Sequence, residues 1–172
     1  MEKTLHLSLY VDKTDIPQKW YSIATVRDIA DLPKNTVVTL PNRELQTKDI
    51  IPVLPVNRLT DICTSIKKIP LLDIFSVNYT IDDHGVISGK ILNEYEATRL
   101  AIFKNAKIYL DEISQSAYFC YLCSKEQHMV WMETAYHMLY KIQVLYKIGV
   151  REIAFLVTKD NFNTVYNILN FL

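Results

Sequence analysis

Leu5, Leu7, Leu9 and Val11 alternate with His6, Ser8 and Tyr10, the period-two pattern of a half-buried strand. The same alternation returns at Phe75, Val77, Tyr79 and Ile81, with Ser76, Asn78, Thr80 and Asp82 on the opposite side. Asp83-His84-Gly85 supplies a turn in which glycine can take positive φ, and residues 86–91 return as the hairpin partner. Asn93 and Glu96 have capping-box spacing and start a helix, with Ile102, Phe103, Ala106, Leu110 and Ile113 near one stripe; residues 107–113 also read as extended. The short aromatic run 118–123 predicts a buried strand. Ser124 and Gln127 repeat the capping-box spacing and predict one continuous helix over 125–148, stopped by Gly149, with Trp131, Ala135, Met138, Ile142 and Leu145 as its buried stripe. Ile153-Ala154-Phe155-Leu156-Val157 reads as a strand covered on both faces, and Asp160 caps a last helix.

The first part of the chain is punctuated differently. All six prolines lie between Pro17 and Pro70, and each fixes φ and removes a backbone donor. Residues 1–70 therefore form short strands and turns, and residues 71–172 a regular core, within a single domain over 1–172. Residues 12–17 read as a turn, and residues 20–29 fit either a short helix or irregular structure. Residues 36–40 read as a strand, and residues 50–55 as a sheet edge or extended connector around Pro52 and Pro55. Asn57 caps a helix carrying Leu59, Ile62, Cys63 and Ile66 on one face, which ends before Pro70. From residue 75 the order is strand, strand, helix, strand, helix, strand, helix. The fold class is α+β (or α/β), with helices packed on a mixed sheet and a right-handed crossover through the long helix.

Composition narrows the class without naming a chemistry. Of 172 residues, 49% are hydrophobic and 22% charged, as in a globular chain. Nineteen basic residues balance nineteen acidic ones, so no basic excess points to nucleic acid. No apolar run reaches the ~20 residues of a membrane span, and the alternating N-terminus lacks the apolar core of a signal peptide. A cytoplasmic location follows as an expectation. Three cysteines, an odd number, do not suit a stapled extracellular scaffold.

The candidate chemistry is sparse. Cys120-x-x-Cys123 just before a helix start resembles a redox pair, although odd spacing on a strand turns the two sulfurs to opposite faces. Adding His128 gives C-x2-C-x4-H, but Glu133 stands where a fourth zinc-knuckle ligand would be, so no metal is assigned. The three glycines at 85, 89 and 149 form no phosphate-binding loop, and no cofactor is called for. A second apolar stripe on the long helix, Met132, Tyr136 and Tyr140 with Met129, suggests a helix buried on two sides, one of them against another protein or a second copy.

The C-terminal 85 residues or so resemble the periplasmic domain of the ExbD/TolR family. The correspondence runs through the hairpin at 77–91, the helix from Asn93, the run 118–123, and Ile148-Gly149-Val150-Arg151-Glu152-Ile153-Ala154-Phe155-Leu156-Val157-Thr158. The family's N-terminal membrane helix and its aspartate have no counterpart here, and Ser124-Lys125 replaces the acidic residue usual after the third strand. The resemblance implies a non-enzymatic domain for protein interaction or self-association, a homodimer or a protein partner, and a periplasmic place if the chain is a piece of such a protein. The alternative reading is a small thiol-based redox or α/β enzyme centred on Cys120 and Cys123, with His128.

Overall fold

The computed structural model describes residues 5–10, 21–22, 37–40, 50–66 and 68–172. Their strands form two sheets. The first is parallel and contains β1 (His6–Tyr10), β2 (Tyr21–Ser22), β3 (Val37–Leu40), β4 (Ile69–Leu72) and β10 (Glu152–Leu156), in the order β1-β10-β4-β3-β2. The second is antiparallel and contains β5 (Ser76–Ile81), β6 (Ile87–Leu92), β7 (Tyr109–Asp111), β8 (Ser116–Cys123) and β9 (Glu126–Met132), in the order β6-β5-β9-β8-β7. In sequence the whole second sheet is inserted between β4 and β10. The described helices are α1 (Val56–Asp61), continued by a π-helical turn at Ile62–Ile66, then α2 (Glu94–Phe103), α3 (Ala135–Lys147) and α4 (Phe162–Phe171).

The α+β class is as the pattern predicts, and several local signals act as expected. The hairpin of β5 and β6 closes through Gly85 at φ 78°, with the Asp82 carboxylate accepting from the His84 and Val86 amides. Asn93 and Glu96 form both bonds of the capping box that opens α2. The N-terminal strand lies in a sheet, where His6 to Tyr10 run parallel to Glu152 to Leu156. The expected turn at 12–17 lies outside the described residues, as do residues 23–29 of the ambiguous segment.

The long helix is the main correction. Residues 126–132 are the strand β9, not helix, and α3 starts only at Ala135. Ser124, at φ 58°, sits in a tight turn joining β8 to β9, so Cys123 faces Glu126 across the ladder. The true cap is Thr134, whose side chain accepts from the His137 amide. Physically, Gln127 to Trp131 pair along both edges, with β8 on one side and β5 on the other, which outweighs helix propensity. The strand at 118–123 therefore belongs to the antiparallel sheet, and the expected crossover to β10 does not occur. The helix after Asn93 ends at Phe103, and the extended alternative for 107–113 holds, since Tyr109–Asp111 form β7; of the expected stripe, Ile102, Phe103, Leu110 and Ile113 are exposed. At the other end of the chain, Asn161 rather than Asp160 occupies the cap position of α4.

Two apolar clusters flank the parallel sheet and define its sides. Leu72, Ile153 and Phe155 pack in one core with Met138, Ile142 and Leu145 of α3 and Val165 and Ile168 of α4. The same core takes in Val77, Tyr79 and Trp131 from the antiparallel sheet. Leu71, Ala154 and Leu156 form a separate small cluster. Since side chains alternate along a strand, that second cluster marks the side of the parallel sheet away from α3 and α4. The far face of the antiparallel sheet packs Phe119, Val130 and Met132 against Ala97 and Ala101 of α2.

Candidate functional site

Open parallel sheets bind ligands outside the carboxyl ends of their strands. At that end of β4 the chain reads Leu71-Leu72-Asp73-Ile74-Phe75, and every one of these residues is at most 3% exposed. Leu71 pairs with Ala154 and Leu72 with Phe155. Asp73 follows β4 directly, at the carboxyl end of that strand. Among the described residues, Asp73 and Glu133 are the buried carboxylates.

Glu133 is committed elsewhere. It follows β9 directly, and its carboxylate meets Lys141 of α3 at 2.8 and 2.7 Å, with both side chains fully buried. Ser116 Oγ donates to the same carboxylate at 2.7 Å, and the Leu54 amide does so at 3.3 Å. Lys141 Nζ also donates to the Leu54 carbonyl at 2.7 Å and to Ser116 Oγ at 2.8 Å. The Glu133 amide in turn donates to Ser76 Oγ at 3.1 Å. Burial pulls the Lys141 pKa below its ordinary value, and Glu133 opposes that shift. The network is saturated with partners, as a buried ion pair must be to hold.

An aromatic row crosses the antiparallel sheet. Tyr109 faces Tyr118 and Tyr118 faces Trp131 in the ladders, with ring centroids 5.6 and 5.0 Å apart. The row runs from Trp131 in the core out to Tyr109, which is 45% exposed. On the same face toward the hairpin tip, Ile50, Ile81, Cys120, Leu122, Gln127 and Met129 help line a cavity of about 340 Å³.

The cysteines do not form a reactive centre. Cys120 pairs with Met129 while Tyr121 pairs with His128, so Cys120 and His128 lie on opposite faces of the sheet. Cys120 and Cys123 are both exposed and free, and desolvation pushes the Cys120 thiol up, away from a reactive thiolate. Cys63 is pushed up to about 12 by burial. The thiol-redox alternative is not supported. The proposed second stripe also separates: Met132 is buried on β9 against α2, whereas Tyr136 and Tyr140 are exposed on α3.

His128 has a structural setting. Its ring stacks on Tyr121 at 4.3 Å, and Nδ1 lies 3.2 Å from Thr80 Oγ1 and 3.3 Å from Asn78 Oδ1. Burial lowers its pKa below 6.5 against the opposing charge of Glu126, and Lys104 lowers it further. Burial likewise lowers His137, opposed by Glu133 and Glu94 and assisted by Lys141. For a folded-state pKa depressed below the unfolded one, stability is full above the unfolded value and is lost as pH falls below it. The thermal midpoint should therefore drop between about pH 7.5 and about pH 5, and the drop should shrink in a His128→Gln/His137→Gln variant. An equal drop in both proteins would contradict this assignment.

No protein-family model matches the sequence, and no curated protein matches it. Solved structures do match. A spore cortex-lytic enzyme, SleL, from Bacillus cereus is 17% identical with a TM-score of 0.64, over 81% of this chain and 35% of that one. A chitinase from Chromobacterium violaceum is 13% identical with a TM-score of 0.66, over 97% of this chain and 54% of that one. A glycoside hydrolase family 18 N-acetylglucosaminidase from Paenibacillus barengoltzii is 11% identical with a TM-score of 0.54, over 80% of this chain and 47% of that one. These likenesses overturn the ExbD/TolR resemblance, which rested on a helix–glycine–strand order common to many α/β chains. They also count against the non-enzymatic interaction reading, and the homo-oligomer expectation has no support. No helix among the described residues is long and apolar enough to cross a membrane. The chain spans about a third to a half of the length of these structures, and what it shares with them is a fold found in chitinases and cortex-lytic enzymes.

Proposed function

We propose that this chain is a glycosidase-type domain that binds and hydrolyses polymers of N-acetylated amino sugars, such as chitin or the glycan of spore cortex. The observation that carries the reading is the position of Asp73, a buried carboxylate directly after the carboxyl end of a parallel strand. Catalytic groups on parallel α/β scaffolds gather at that end.

Glycoside hydrolysis usually needs two carboxylates, one to protonate the leaving oxygen and one to act as nucleophile or base. In the substrate-assisted variant, the sugar's own acetamido group attacks the anomeric carbon, so the protein need supply a single acid. By its place directly after β4, Asp73 is the candidate proton donor.

The reading is tested by incubating the protein with insoluble chitin, spore cortex and cellulose. Retention on chitin or cortex, with none on cellulose (which lacks the acetamido group), is the expected result. Equal retention on all three, or on none, would contradict it.

A further inference from the structure

The buried ion pair invites a role beyond cohesion, because replacing such pairs with apolar residues is often neutral for stability. What distinguishes this pair is the backbone it grips. Leu54 is held by both its amide and its carbonyl, the first to Glu133 and the second to Lys141. Two residues on, the Val56 amide at the start of α1 donates to the Ser114 carbonyl. Ser116, at the start of β8, touches both charged partners. Ser76, at the start of β5, receives the Glu133 amide. Only Ile74 and Phe75 separate Ser76 from Asp73, and both are 2% exposed.

We propose that Ser76, Glu133 and Lys141 are positioning residues that fix the strand end bearing Asp73, and the segment at Leu54, against the base of the antiparallel sheet. The connector from β4 to β5 is three residues long and has no slack, so anchoring Ser76 limits where Asp73 can sit. Lys141 reaches this point from the middle of α3, the helix that leads back to β10, and so ties both chain crossings between the sheets to one centre. Asp73's catalytic part in this scheme rests on the glycosidase reading above; the anchoring itself does not.

Two arms separate those claims. Amide hydrogen exchange on the folded protein, without sugar, should find Leu54 and Glu133 among the slow amides. In Lys141→Met, residues 53–54, 74–76 and 133 should exchange at least ~10-fold faster while the β1–β10 ladder is unchanged. Uniform acceleration over the whole chain would overturn the proposal, since the network would then serve global stability alone. Ser76→Ala leaves the ion pair in place and answers the same question if Lys141→Met fails to fold. On a chito-oligosaccharide, Ser76→Ala should lower kcat about 10-fold or more with KM changed less than about 3-fold. A wild-type enzyme that turns over, with an unchanged Ser76→Ala variant, overturns the positioning role. A wild-type chain without turnover sinks the glycosidase reading and leaves the exchange arm to decide the network.

Discussion

Glu133→Ala should lower the unfolding free energy by about 3–5 kcal/mol, because it leaves the Lys141 ammonium buried without its counter-charge. For a chain of this length that corresponds to about 6–20 °C in thermal midpoint. Two further groups lose a partner in the same step, Ser116 Oγ and the Leu54 amide. Each buried group left unpaired adds its desolvation cost. A change at Glu126 makes a useful contrast, since its side chain is 52% exposed and its contact with His128 is 3.6 Å long. Exposed pairs of that kind contribute about 0–1 kcal/mol. Urea melts of Glu133→Ala and Glu126→Ala would check the pair of values. Equal small losses would show that the buried network contributes little.

Asp73→Asn should reduce turnover of an N-acetylated oligosaccharide by about 10²- to 10⁴-fold, the usual range for removing a general acid. The replacement keeps the shape of the side chain and removes its acidic proton, so affinity for the polymer should stay near that of the parent. Comparing single-turnover rates with retention on chitin separates the two effects. A variant that binds and turns over like the parent would remove Asp73 from the chemistry.

Local chemistry in the sequence carried the fold a long way wherever a short stretch decides its own conformation. Asp82 with Gly85 makes the hairpin, and Asn93 with Glu96 makes the helix start, because the bonds involved span only a few residues. The same local logic misread residues 125–148. Ser124 and Gln127 have the spacing of a capping box, yet Ser124 takes a positive φ in a tight turn, and the pairing of Tyr121 with His128 decides the outcome. Nothing near Ser124 signals that partner. Pro70 hid β4 for a related reason: it reads as a stop, although it pairs with Val38 inside a parallel ladder.

The site was legible only as an anomaly. Asp73 interrupts the apolar run from Ile69 to Phe75, and Lys141 interrupts the stripe of Met138, Ile142 and Leu145. An acid or a base in such a place needs a partner or a function. Finding the partner required tertiary structure, since Glu133 lies on the strand side of the true helix cap and Leu54 lies 79 positions earlier in the chain. The thiol pair drew notice for its spacing, but the ladder register turns Cys120 and His128 to opposite faces.

The most direct measurement is the release of reducing ends from a chito-oligosaccharide and from its deacetylated counterpart. Substrate-assisted hydrolysis needs the acetamido group, so reducing ends should appear from the acetylated chain and not from the deacetylated one. No release from the acetylated substrate, or equal release from both, would contradict the account.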